Sequence, residues 1–395
     1  MSRLLFITEH FPPSLGGVAV SANRIVTALC SLGVKVDVIA WTRALQPGVV
    51  ESGGENPRVF RLGRYREWDT TFPHTLNLCD WLYATAAYDR IWGHYLAPAG
   101  FFAGWVGRLK GTPSIVSIRG NDLDRDMFPP GDFARLLWTL EQATVVTAVT
   151  EELSRKITAL TERKDVVHLP NSVDHEVFRP EPVSSGLREQ LGIHADELVL
   201  GFCGELREKK GLREILDALR QVRAKRPACL LIIGEVRPSQ MPKLFEYTAT
   251  EPLAAHRILV TGALAGGPRA VNQHLQLCDV YVQPSLWDGM PNALLEAMAA
   301  GCGCIASDAG GIPEVITPGV DGVIVPRWQL HRLAEVILEW ANAGEQHQRR
   351  VREAARARVI EHFNFDLERM RLRSLLSTPA GKQVRVHGQL GPQSL

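Results

Sequence analysis

The stretch from Val280 to Gly301 constrains the fold more than any other part of the chain. Val280-Tyr281-Val282 alternates and is β-prone, which predicts a strand running into Pro284. Gly289 supplies a backbone free to turn, and Pro291 suits the first position of a helix. Ala293 to Ala300 are strong helix formers, and Gly301 is placed to stop them. Strand, glycine turn and helix start make a geometry whose free N–H groups and dipole bind phosphate. Two acids supply the chemistry: Asp288 in the turn, and Glu296 eight residues on among Ala, Leu and Met. A carboxylate in such company wants donors, and the sugar hydroxyls of a nucleotide supply them. On spacing alone a second reading stays open, in which Asn292, Glu296 and Ala300 are the solvent face of a short amphipathic helix.

The same alternation recurs along the chain. Arg3–Thr8 reads as a buried strand, followed by Phe11-Pro12-Pro13-Ser14-Leu15-Gly16-Gly17, a helix over Val18–Leu32 and a strand over Val34–Ala40. This opens a doubly wound α/β domain, without the GxGxxG spacing of dinucleotide dehydrogenases. Gly16-Gly17 at a helix start either admits a diphosphate to its amides or is a flexible turn. Residues 41–75 carry little periodicity and are expected to be loops. Tyr88–Gly93 predicts a strand with His94 at its carboxyl end, where open α/β sheets bind ligands. Pro113–Ile118 predicts another, leaving through Arg119-Gly120-Asn121-Asp122, whose charges can pair with each other. The alternation restarts at Leu198–Cys203, which exits through Gly204-Glu205-Leu206-Arg207-Glu208-Lys209-Lys210-Gly211 into a helix from Leu212. Basic groups there suit a diphosphate leaving group, or form a solvated charged turn.

An acid, seven residues, a second acid and Ala-Met-Ala-x-Gly resemble the signature of the family 4 retaining glycosyltransferases, with Asp288 where the family more often has Glu. The resemblance extends from residue 1 to about 376. It includes the Pro-Pro-x-x-Gly-Gly loop, the His94 segment, Pro170-Asn171-Ser172-Val173-Asp174 for Pro-Asn-Gly-Val-Asp, and Gly204-Glu205-Leu206…Lys210-Gly211 for Gly-Arg-Leu…Lys-Gly. It implies a GT-B fold, two Rossmann-like domains facing across a cleft, and transfer of a sugar from a nucleotide diphosphate sugar to an acceptor hydroxyl with retention. His94, Lys210, Asp288 and Glu296 are the implied catalytic set. Gly16, Gly17, Arg207, Lys210, Gly289, Met290, Pro291, Asn292 and Glu296 are the implied donor-binding set. The family's arginine position is Glu205 here, so that contact is lost or passes to Arg207. The resemblance implies no metal and no cofactor beyond the donor. The acceptor would be a saccharide, a lipid-linked group or a small molecule.

At 395 residues two domains are expected. The resemblance and the Pro- and Ser-containing run 179–186 place them at 1–178, joined by a returning helix at about 363–376, and at 187–362, with 377–395 a disordered tail. Net charge of +1 gives no global pointer to nucleic acid. No apolar run approaches the roughly 18 residues that span a bilayer. Seven scattered cysteines, and a start that reads as a strand rather than a signal peptide, predict reduced thiols in a cytoplasmic protein. The arginine-dense run 349–359 is either solvated or touches an anionic membrane from the inner face. Three rivals stay open: an epimerase acting on nucleotide sugars, a non-catalytic sugar-nucleotide binder, and an oxidoreductase.

Overall fold

The computed structural model describes residues 2–14, 16–120, 122–250 and 257–377. Its internal contacts divide the chain into two compact units. One holds residues 1–148, 153–168 and 371 onward; the other holds 149–152 and 169–370. Each is an α/β unit built on a parallel sheet, as the GT-B class requires.

The first unit has eight strands: β1 (Arg3–Thr8), β2 (Lys35–Thr42), β3 (Val50–Gly53), β4 (Arg58–Gly63), β5 (Arg90–His94), β6 (Ser114–Ile118), β7 (Val145–Ala148) and β8 (Val167–His168). Their order in the sheet is β3-β4-β2-β1-β5-β6-β7-β8, parallel except for the β3–β4 hairpin. Leu5, Ile7, Ile39, Trp41, Phe60 and Phe102 are buried among the side chains that fill its core. Residues 41–75, expected to be loops, instead hold the end of β2, all of β3 and β4, and the start of the helix Trp68–Thr85. The four residues of β3 are all exposed at the sheet edge, so no buried face imposes a period on them. The helix carries Pro73 inside it, which hid its pattern.

The second unit has six: β9 (Leu198–Cys203), β10 (Ala228–Ile233), β11 (Ile258–Val260), β12 (Val280–Gln283), β13 (Cys304–Ser307) and β14 (Val323–Val325), ordered β11-β10-β9-β12-β13-β14 and parallel throughout. Both faces are covered, so these strands are almost wholly apolar; Phe202, Leu230, Ile232, Val280, Val282 and Ile305 are buried in one core with Leu212, Leu216, Leu219 and Ile337. Residues 179 and 181 donate their backbone N–H groups to Asn272 Oδ1 and Gln276 Oε1 within this unit. The helix Phe365–Ser377 closes the described chain, and residues 378–395, nearly all of the expected tail, lie outside the described residues.

Each sheet has one place where strand order reverses. The chain runs from β1 outward through β2 and returns to β5 on the other side of β1; in the second unit it runs from β9 through β10 and β11 and returns to β12. Loops leaving the two strands that flank such a point diverge and open a crevice beyond their carboxyl ends.

Candidate functional site

In the second unit the two loops at the reversal point are locked together. Gly211 ends the loop after β9 in the left-handed region at φ 82°, and a Cβ there would lie 2.1 Å from the Pro284 carbonyl oxygen. Only glycine lets the loops approach so closely. Leu286 and Trp287 donate their N–H groups to the Lys209 carbonyl at 2.9 and 3.3 Å. Across this seam the Lys210 ammonium forms an ion pair with Asp288, both side chains being mostly buried. A relay of side chains holds Asp288: Tyr281 OH donates to Gln283, Gln283 Nε2 to Ser285 Oγ at 2.8 Å, and Ser285 Oγ to Asp288 Oδ2 at 3.1 Å. Asp288 Oδ1 accepts from the Gly289 N–H at 3.1 Å.

The turn after Asp288 is fixed by its carbonyls. Asn171 Nδ2 donates to the Met290 oxygen at 2.6 Å, and the Gly311 N–H to the Gly289 oxygen at 2.8 Å. Gly310 packs so tightly that a Cβ would fall 1.9 Å from the Asp288 oxygen. Pro291 then starts the helix Asn292–Ala299 without a side-chain cap. The solvent-face reading of that helix fails at Ala300, which is only 2% exposed, while Asn292 and Glu296 are half-buried. Burial pushes the Cys203 thiol at the end of β9 well up, and the Glu296 charge pushes it further; the same charge acts on the buried Tyr281 phenol.

Cations gather around the loop after β9. Arg207 Nη1 lies 3.5 Å from Glu205 Oε2, and Arg237 donates to the same oxygen through Nη2 at 2.7 Å and Nε at 3.1 Å. Burial lowers the Lys209 ammonium to about 8, with Arg207 and Lys210 adding to the effect and Arg237 contributing as well. Arg237 was not legible from spacing, because it stands 32 residues from Glu205 on a different strand exit.

In the first unit the expected residues also meet a reversal point, where Gly16 and Gly17 are exposed and His94 is turned inward. Gly16 precedes the helix Gly17–Ser31 at φ 108°, with no acid in that helix's first turn. His94 ends β5 with no exposed surface, and its Nε2 lies 2.9 Å from Ser21 Oγ on that helix. Burial holds the imidazole well below 6.5, and the guanidinium charges of Arg119 and Arg24 add to this. Asp122 receives the N–H groups of Leu96 at 2.9 Å and Gly120 at 3.0 Å, and burial raises its carboxyl to about 6. Asp122 thus orders the backbone after β5 and β6. Ser21, which no motif marked, is the partner that orients His94.

Among the described residues, no group of three His, Cys, Asp or Glu side chains is placed to hold a metal ion. All seven cysteines are free thiols.

Comparison with known proteins agrees with this geometry. The family described as glycosyl transferase 4-like domain matches residues 16–172, and the family described as glycosyl transferases group 1 matches residues 197–342. The chain belongs to the family 4 glycosyltransferases. The glycosyltransferase is 24% identical to a GDP-mannose-dependent monoacylated alpha-(1-6)-phosphatidylinositol monomannoside mannosyltransferase of Corynebacterium glutamicum, over 95% of this chain and 98% of that one. It is 25% identical to a D-inositol 3-phosphate glycosyltransferase of Thermobispora bispora, over 94% and 96%. Among solved structures it resembles a sucrose-phosphate synthase from Thermosynechococcus elongatus, with TM-score 0.80, 20% identity and coverage of 95% and 98%. Anabaena HepE in complex with UDP-glucose matches with TM-score 0.78, 18% identity and coverage of 96% and 100%. The reading as a sugar-transferring enzyme therefore prevails over the epimerase, the non-catalytic binder and the oxidoreductase.

Proposed function

We propose that this glycosyltransferase binds its nucleoside diphosphate sugar at the reversal point of the second sheet. The observation that carries the reading is the locked seam itself, with Lys210, Asp288, the Gly289–Asn292 turn and Glu296 brought to adjoining loops of one unit. As the bond to the departing diphosphate breaks, negative charge grows on its oxygens. The Lys210 ammonium, with Arg207 beside it, and the amides that open the helix at Asn292 offset that charge without having to reorganise. Asp288 keeps Lys210 in place, and the relay through Ser285 keeps Asp288 in place. Glu296 accepts from the donor's ribose hydroxyls, which a half-buried carboxylate among apolar residues is suited to do. On the first unit, Gly16 and Gly17 offer helix-start amides to an anion, and His94 is held by Ser21. No metal or further cofactor has a role in this scheme.

The acceptor we infer is a saccharide, a small polar molecule or a lipid-linked group, in polysaccharide or glycolipid synthesis. Among the described residues no helix is long and apolar enough to cross a membrane. We place the enzyme in the cytoplasm, in keeping with its free thiols. The arginine-dense helix Glu345–His362 is a poor candidate for membrane contact. Arg352, Arg356 and Arg358 donate to the carbonyls of Asp279, Phe178, Ala299, Val315 and Glu314, so three of its five arginines are committed to the fold.

Incubation with UDP-glucose, UDP-N-acetylglucosamine, GDP-mannose and ADP-glucose tests the reading. Nucleoside diphosphate should accumulate with one of these donors, and faster when a suitable acceptor is added. A changed sugar appearing with no acceptor present would overturn it.

A further inference from the structure

We propose that Arg237, at the exit of β10, binds the donor diphosphate beside the cations at the exit of β9, steered there by Glu205. The inference rests on the donor site argued above and extends it to a residue outside every motif of the sequence.

The argument begins with two glycines. Gly204 and Gly234 end β9 and β10 in the left-handed region, at φ 112° and 134°. A Cβ on Gly234 would lie 2.4 Å from the Gly204 oxygen, so the two exits cross at a distance no side chain permits. Beyond the crossing they run side by side. The Leu206 N–H donates to the Glu235 oxygen at 2.8 Å, the Arg237 N–H donates to the Leu206 oxygen at 3.0 Å, and Leu206 pairs with Val236 as a parallel bridge. Successive side chains on such a ribbon point to opposite faces. Leu206 and Val236 are buried in the core, so Glu205, Arg207 and Arg237 share the other face, away from it.

Charge decides what that face is for. Arg207, Lys209, Lys210 and Arg237 stand with three carboxylates, Glu205, Glu235 and Asp288, while Glu208 is paired with Lys243. The surplus is positive by one charge, and Lys209, lowered mainly by burial, also feels the charges of Arg207, Lys210 and Arg237. A diphosphate supplies the missing negative charge and fits a fork of planar donors. Glu205 engages Arg237 through Nε and Nη2, which leaves the Nη1 edge for a further acceptor. A long arginine side chain loses much rotamer freedom when it binds, and a carboxylate that already restrains it reduces that cost. Glu205 is therefore a positioning residue, and Arg237 a binding residue.

The test is calorimetric titration of the full chain with UDP, GDP and ADP, and with the nucleosides uridine, guanosine and adenosine. Wild-type protein is expected to bind one diphosphate more tightly than its nucleoside. In Arg237→Ala the affinity for that diphosphate should fall on the order of tenfold, as for loss of one charge-assisted contact, with nucleoside affinity and melting temperature unchanged. Adding Glu205→Arg to Arg237→Ala should bring the diphosphate affinity back to within about threefold of wild type, which restoring an ion pair alone would not do. Should Arg237→Ala not fold, Arg237→Lys is read in its place, with a smaller loss in the same direction. Wild-type-like diphosphate binding by Arg237→Ala, or an equal loss for the nucleoside, overturns the assignment and leaves the donor site standing. Failure of the wild-type protein to bind any of the three diphosphates overturns both.

Discussion

The two sheets reverse their strand order in the same manner, yet they use the resulting crevices differently. In the second unit the side chains at the reversal point are charged and partly open, and they are held by one another: Lys210 by Asp288, Arg207 and Arg237 by Glu205. In the first unit they are enclosed and held by the backbone or by a neighbouring helix: His94 by Ser21, and Asp122 by the amides of Leu96 and Gly120. Partly exposed cations suit an anion, which is why the proposed donor site is placed there. A neutral imidazole with no exposed surface is a strut until something moves it. The difference teaches that one crevice is lined by charged side chains that hold one another, and the other by enclosed groups tied to the backbone or a neighbouring helix.

This contrast can be broken by mutation. The largest effect is expected from Lys210→Ala, which removes a donor aimed at developing charge. It should lower kcat by about 100- to 1000-fold while leaving the acceptor KM unchanged, as steady-state kinetics would show. An acceptor-side defect alone would contradict the phosphate role. Next is Glu296→Gln, with a loss on the order of tenfold in donor affinity and an unaltered melting curve. Unchanged kinetics would return Glu296 to a solvated face. Ser21→Ala should act on the first unit only. It strips a buried ring nitrogen of its partner, so denaturant melts should show a loss of about 1–3 kcal/mol, with donor affinity untouched.

The smallest effects are in pH dependence, and they have the same sign in the two regions but fall in different pH windows. The His94 imidazole is held below 6.5 in the folded chain, so as pH falls through 6.5 the unfolded chain takes up a proton that the folded one refuses. Its contribution is present above pH 6.5 and is lost below it. The difference in stability between wild type and His94→Gln should therefore shrink on acidification. Lys209 is lowered from 10.5 to about 8, so between those values the unfolded chain is the one that keeps the proton. Relative to Lys209→Met, wild type should gain stability as pH rises across that window. A flat difference curve at either residue would mean that its surroundings are wetter than the packing indicates.

The sequence carried most of the frame. β1 and β9 lie at Arg3–Thr8 and Leu198–Cys203, where the sequence places them, because strands covered on both faces are mostly apolar. Lys210, Asp288 and Glu296 could be named from the sequence because each lies in or beside a locally encoded strand, turn or helix that the family resemblance marks. Arg237 and Ser21 were not, since one depends on two glycines crossing and the other on a helix packing over a strand. β3 was missed for a different reason: an exposed edge strand has no buried face to write a period into its residues.

The fit of Gly211 against Pro284 also bears on anyone who would re-engineer this enzyme. The segments 204–211, 284–291 and 308–311 are interlocked through carbonyl contacts and glycines, so none can be exchanged alone for its counterpart from a relative. A chimaera that imports a single loop would collide with the two it left behind. Altered donor preference should be sought by transplanting all three together, as one cassette.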